Sequence, residues 1–286
     1  MESSELILHN DGSIFHLRLF PHEVADNIIL VGDPGRVELI GTYLDHIQFQ
    51  KHNREFRTIT GTYKEKSISV ISSGIGTDNI DIVMNELDAL KNIDLSTREV
   101  KASIQPFNIV RIGTSGSLRK DIPTGSFIIT QKSIGFDNLS HFYKLNKSDE
   151  NRNIEKSLKS HLNWNQHLPY PYITDASENL LKKFRDKNFS RGMTISAPGF
   201  YGPQGRKLRI PLADELLNNK IQNFKFRDLS ITNYEMESSA IYSLSRALGH
   251  EALTVCAVIA NRITKDYIGD YTCLIKDLTK TVLETI

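Results

Sequence analysis

The residues able to do chemistry fall in a few short stretches, each placed after an apolar run. Gly32-Asp33-Pro34-Gly35-Arg36 offers a glycine for close backbone approach and a proline suited to a first helical turn. Its Arg36 sits where a helix N-terminus already favours anions. Arg111-Ile112-Gly113-Thr114-Ser115-Gly116-Ser117 brings together a guanidinium, two glycines, three hydroxyls and several amides. That composition suits a phosphate cradle, and also a plain turn closed by Gly and Ser. Ala197–Arg206 (APGFYGPQGR) sets Phe200, Tyr201, Gln204 and Arg206 on a Gly/Pro-stiffened scaffold. An aromatic stacks on a heterocycle, an amide donates and accepts at once, and an Arg fork donates to a carbonyl. The set fits the polar edge of a pyrimidine, or a solvated loop. In Asn233–Ser239 (NYEMESS), Glu235 and Glu237 flank Met236 at the opening of a helix. Such glutamates complement the helix dipole, or present a carboxylate to paired sugar hydroxyls. Ile259-Ala260-Asn261-Arg262 puts a last guanidinium at the mouth of an apolar strand.

Other motifs fail on inspection. Gly74-Ile75-Gly76-Thr77-Asp78-Asn79 begins like a dinucleotide fingerprint but lacks the third glycine. Gly113–Ser117 is neither a P-loop nor a nucleophile elbow. Cys256 lies inside an apolar run and reads as core, not as a catalytic thiol.

Positioning these stretches requires strands that end just before them. Asn27–Val31, Phe107–Ile112, Phe127–Thr130, Gly192–Ile195 and Leu253–Ile259 are short apolar runs, and Thr58–Tyr63 and Ser67–Ser72 flank a Lys-Glu-Lys turn. Helical periods follow GDPGR and run from about Asp78 to Lys91. The alternation predicts an α/β fold, one domain over 1–286, with a mixed sheet flanked by helices on both faces. Ligands of such sheets bind beyond the carboxyl ends of the strands. Asp94–Gln105 reads as an exposed connection, and 139–171 as a surface excursion without clear period.

Composition narrows the function. Lys and Arg total 35 against 34 Asp and Glu, a net charge of +1, so no global field holds nucleic acid or an anionic membrane. Two cysteines, Cys256 and Cys273, with no CxxC, offer neither a disulfide framework nor a zinc site. Ala252–Ala260 is too short to span a bilayer, which takes roughly 20 residues. The N-terminus lacks a signal-peptide pattern, so a soluble cytoplasmic protein is expected.

The ordered set GDPGR (32–36), NREF (53–56), RIGTSG (111–116), Phe200…Gln204…Arg206, NYEMES (233–238) and NR (261–262) resembles the nucleoside phosphorylase superfamily, and within it the pyrimidine branch of uridine phosphorylases. The similarity spans roughly Phe15 to Arg262 and is weakest over 139–171. It implies a phosphate site from Gly32, Arg36, Arg111 and Thr114, completed by Arg54 of a neighbouring subunit. It implies ribose contacts from Met236, Glu237 and Glu235, with His16 of the neighbour at the 5′-hydroxyl. Uracil would be taken by Phe200, Gln204, Arg206, Gly116 and Ile259, with Arg262 helping beside the base. The implied catalytic group is Arg206, Gln204, Glu237 and Arg262.

The resemblance also implies a homo-oligomer, dimer-based and hexameric, which cleaves uridine with inorganic phosphate as co-substrate and no organic cofactor or catalytic metal. Some relatives hold potassium near the NREF glutamate, here Glu55, but Thr77-Asp78-Asn79 departs from their pattern and Ser115 replaces a common Thr. Purine-specific relatives use an Asp where this chain has Gly202–Arg206, and no Asp stands there. The rival readings are a phosphorylase of different base preference, a hydrolytic nucleosidase on the same fold, and a non-catalytic nucleoside-binding protein. Three guanidiniums around a water would be electrostatically unsupported, which argues against the hydrolase.

Overall fold

Near-continuous apolar runs form the central strands of one mixed sheet. The computed structural model describes residues 1–286. In chain order the strands are β1 (Asn27–Val31), β2 (His46–Asn53), β3 (Phe56–Tyr63), β4 (Lys66–Ser72), β5 (Ile93–Asp94), β6 (Glu99–Val100), β7 (Asn108–Ser117), β8 (Phe127–Gly135), β9 (Tyr172–Asp175), β10 (Ser190–Ser196), β11 (Lys225–Phe226), β12 (Leu229–Glu235) and β13 (Glu251–Asn261). The helices are α1 (Pro34–Gly41), α2 (Thr77–Asn92), α3 (Asp149–Leu162), α4 (Glu178–Lys183), α5 (Leu217–Asn223), α6 (Ser238–Leu248) and α7 (Thr272–Thr285). The α/β class with a mixed sheet is as expected.

The strand order is β11-β12-β10-β8-β13-β7-β1-β4-β3-β2, and β12 also pairs with β7. That extra pairing joins Asn233 to Ser117 and Tyr234 to Gly116. Strands β7, β13, β8, β10 and β12 therefore close on one another, while β1, β4, β3 and β2 continue as an open wing. The sheet divides at β7. One edge of β7 pairs with β1 from Asn108 to Arg111 and with β12 at Gly116 and Ser117. Between them, Ile112–Ser115 has no strand partner on that edge, while β13 lines the other edge throughout. A gap of this kind at the carboxyl ends of strands is where an α/β sheet accommodates a ligand.

Two large apolar clusters hold the elements. The larger, of 42 residues, joins the wing strands to α1, α2, α6 and α7. A second, of 14 residues, joins β8, β10 and β12 to α3 and α5.

Several elements differ from the sequence expectation. Gly113–Ser117 is not a loop after a strand but the second half of β7, and Asn233–Glu235 is the end of β12 rather than a loop. The segment 139–171 does have a period: α3 begins at the Ser148 cap and buries Ile154, Leu158 and Leu162, spaced four apart. Strand β2 and helix α7 lie outside every expected element. Asp94–Gln105 is the exposed connection expected, pinned by the two-residue β5–β6 hairpin.

Candidate active site

Arg111 occupies the last position at which β7 still pairs with β1. Its guanidinium folds back over Gly113, where an added Cβ would stand 2.0 Å from Nη1. Only glycine permits that approach. Nη2 donates to Glu237, and Nη1 lies 3.2 Å from Glu235 Oε2 and 3.7 Å from Cys256 Sγ. Nε is buried without a partner. Burial works against the Arg111 charge, but Glu237 and Glu235 outweigh it and push its pKa up. Burial pushes the Glu237 carboxyl up as well, against the pull of Arg111. One guanidinium thus faces two buried carboxylates, a formal charge of −1. Burial raises the Cys256 thiol to about 12, so Cys256 is an inert core residue.

The first turn of α6 makes this cluster affordable. Glu235 accepts from the backbone N–H of Glu237 at 3.0 Å, from that of Ser238 at 3.0 and 3.1 Å, and from the Ser196 hydroxyl. Glu237 accepts from the Gly76 N–H at 2.8 Å. Unsatisfied amides at a helix start, with the dipole behind them, stabilise carboxylates placed there.

The other end of the site carries positive charge. Arg206 stacks on Phe200, its guanidinium carbon 3.7 Å from the ring centroid. It donates to the Phe200 carbonyl at 2.6 Å and to the Gln204 side chain. Because a guanidinium only donates, the Gln204 atom facing it is the amide oxygen, and the Gln204 NH₂ is left to donate outward. Arg262 donates to the carbonyls of Gln204 and Gly205 at 3.2 Å each. Burial, then the charge of Arg262, lower Arg206 to about 10, and burial lowers Arg262. Two half-buried guanidiniums with no carboxylate between them are arranged to receive negative charge.

One cavity of about 1110 Å³ joins the two ends. Gly32, Arg36, Arg111, Thr114, Gly116, Phe200, Gln204, Arg206, Glu235, Met236, Glu237, Ile259 and Arg262 all line it. Gly32 and Arg36 reach it because Pro34 opens α1 and Asp33 caps it, accepting from the Gly35 N–H at 2.8 Å. Of the two arginines at this anion end, Arg111 is committed to carboxylates and Arg36 is not. His16 and Arg54 do not line the cavity of their own chain. His16 Nδ1 lies 2.6 Å from Glu86, and Arg54 is exposed at the β2–β3 turn with φ +54°.

The cavity also contains residues outside the expected set: Gly74 and Ile75 at the β4–α2 turn, Tyr234, and Lys265–Tyr267. Gly74-Ile75-Gly76 carries the same signal as GDPGR, glycines between a strand and a helix. Failing as a dinucleotide fingerprint hides that role. Nothing local marks Lys265–Tyr267. No group of three His, Cys, Asp or Glu side chains is placed to hold a metal ion, and no helix is long and apolar enough to cross a membrane.

Known proteins are similar to this chain in sequence and fold. A uridine phosphorylase of Thermococcus kodakarensis is 29% identical over 265 residues, covering 93% of this chain and 83% of that protein. A DeoD-type purine nucleoside phosphorylase of Listeria monocytogenes is 25% identical, covering 85% of each. Among solved structures, a Trypanosoma brucei nucleoside phosphorylase, stated to show uridine phosphorylase activity, superposes with a TM-score of 0.89 at 32% identity and covers 98% of each chain. The family model described as "Phosphorylase superfamily" matches residues 26–279, from the strand ahead of Arg36 into the helix after Arg262. Fold and sequence agree, and the chain belongs to the phosphorylase superfamily.

Proposed function

We propose that the protein cleaves the N-glycosidic bond of uridine with inorganic phosphate, giving uracil and ribose 1-phosphate. The carrying observation is the polarity of the one cavity: a free Arg36 at the α1 N-terminus, the Glu237 carboxylate in the middle, and two carboxylate-free guanidiniums at the far end. Phosphate is held by Gly32, Arg36, Arg111 and Thr114, ribose by Met236 and Glu237, and uracil by Phe200, Gln204, Arg206, Gly116 and Ile259. Phosphate beneath C1′ stabilises the cationic sugar as the bond stretches, and Arg206 and Gln204 donate to the oxygens of the departing base. Charge-assisted hydrogen bonds contribute about 1.5–3 kcal/mol each, so donors that strengthen as charge develops supply several kcal/mol to the barrier. No protein nucleophile is needed.

The shortage of free cations at the anion end supports a shared site. Only Arg36 is uncommitted there, so Arg54 of a neighbouring subunit completes the phosphate pocket and His16 of that neighbour reaches the 5′-hydroxyl. The enzyme acts as a dimer-based homo-oligomer, a hexamer, in cytoplasmic pyrimidine salvage, with phosphate as co-substrate and no resident cofactor. Pyrimidine is preferred because Gly202–Arg206 offers donors but no Asp for a purine. Uridine cleavage followed by ultraviolet absorbance, with and without phosphate, tests the reading. Release of uracil only with phosphate supports it, release without phosphate indicates a nucleosidase, and no release overturns it.

A further inference from the structure

The base-recognition segment is braced from outside the cavity. Gly205 adopts φ +67°, and an added Cβ there would stand 2.3 Å from Asn218 Nδ2. Asn218, on α5, donates that amide to the Gln204 carbonyl at 3.2 Å, the same carbonyl that Arg262 grips from the other side. The Asn218 side-chain oxygen accepts from the Tyr234 hydroxyl at 3.0 Å, which fixes the amide's orientation. Helix α5 is in turn held by α3: His161 Nε2 lies 2.9 Å from the Lys220 carbonyl and, facing an acceptor, is the protonated nitrogen. Ile154, Leu158 and Leu162 of α3 share one apolar cluster with Ile221 and Phe224 of α5 and with Tyr234.

We infer that Asn218 is a positioning residue for nucleobase recognition, and that the 139–171 segment, through α3 and α5, is the scaffold that holds it. Asn218 does not line the cavity. It sets the Gln204 backbone between two donors, so that the Gln204 amide and the Arg206 fork stand at one fixed spacing. This inference rests on the proposed uridine phosphorolysis.

The test is steady-state kinetics of Asn218→Ala and Asn218→Asp, each varied in uridine and in phosphate, with thermal unfolding alongside. Asn218→Asp keeps the acceptor for Tyr234 but sets a carboxylate against the Gln204 carbonyl, so it separates loss of the donor from loss of the side chain. The expected result is a uridine KM raised about fivefold to twelvefold in Asn218→Ala and at least as much in Asn218→Asp, as loss of one hydrogen bond of about 1–1.5 kcal/mol would give. The phosphate KM stays within twofold and the folded state persists. An unchanged uridine KM, or uridine and phosphate KM rising together, overturns the inference. Absence of phosphorolysis in the unaltered protein overturns the proposed function instead, and the two failures are distinct.

Discussion

The Arg111 guanidinium donates to Glu237 across the seam where β7, β1 and the start of α6 meet. An arginine of one strand and a glutamate beside a helix N-terminus, 126 residues apart in the chain, thereby fix the middle of the cavity. Their pairing sets the first expectation. Arg111→Met leaves Glu235 and Glu237 buried with no cation, and removal of one partner of such a cluster costs about 3–5 kcal/mol. Denaturant unfolding of the variant checks this. A stability within about 1 kcal/mol of the parent protein, well below that range, would show that the backbone amides alone carry the two carboxylates.

Glu237 shows the opposite balance. Its folded pKa is raised, chiefly by burial. A carboxylate with a raised folded pKa opposes folding above its unfolded value, in proportion to the shift. Glu237→Gln removes that opposition while its amide oxygen can still accept from Gly76 or Arg111. Its thermal midpoint is therefore expected to match or exceed the parent's, while kcat/KM for uridine falls by about tenfold to a hundredfold, the equivalent of one charge-assisted hydrogen bond to the sugar. Loss of stability together with full activity would contradict the role assigned to this residue.

The base end carries a pH signature. Arg206 is lowered to about 10 by burial and by Arg262, so its charge is complete at neutral pH and is lost as pH rises through about 10. Free uracil gains negative charge on its own ionisation in weakly alkaline solution. Its binding, followed by calorimetry from neutral pH upward, should first strengthen as the base ionises and then weaken as Arg206 gives up its proton. Arg206→Ala should abolish the strengthening and lower kcat by about 10²–10³, as loss of a donor to a developing oxyanion does. Nearly full turnover in that variant would exclude leaving-group stabilisation by Arg206.

Sharing of sites can be tested by mixing. Arg36 lines the cavity of its own chain, and Arg54 does not. In an assembly where each site takes Arg36 from one subunit and Arg54 from another, Arg36→Ala and Arg54→Ala variants are each defective. Hybrids formed by dissociating and reassociating the two together contain some sites with both arginines intact. Recovery of activity in the mixture is expected. No recovery, with hybrid assemblies verified by mass, would mean that Arg54 does not serve a neighbour's site.

What the sequence reveals depends on whether the cause is local. The GDPGR turn is legible because Pro34 and the Asp33 cap act within five residues. The second half of β7 is not, since Gly113, Thr114, Ser115 and Gly116 compose a turn until Cys256–Ala260 of β13, far along the chain, pair with them. Strand β12 is hidden for a related reason. Asn233 and Glu235 are polar yet buried, and only the tertiary fold supplies Thr194 and Ser196 as their partners. The α3 signal, Ser148 followed by Ile154, Leu158 and Leu162, is present but diluted by Asn, Lys and Glu on its exposed face. Most of the cavity residues lie in legible motifs, but Lys265–Tyr267 do not, and the commitment of Arg111 to two carboxylates is visible only in three dimensions.

The most direct measurement is the phosphorus spectrum of the protein incubated with uridine and inorganic phosphate. Consumption of inorganic phosphate in step with uracil release, and growth of a single sugar 1-phosphate signal, is the predicted result. Uracil appearing with the phosphate signal unchanged would contradict phosphorolysis and assign the cavity to hydrolysis.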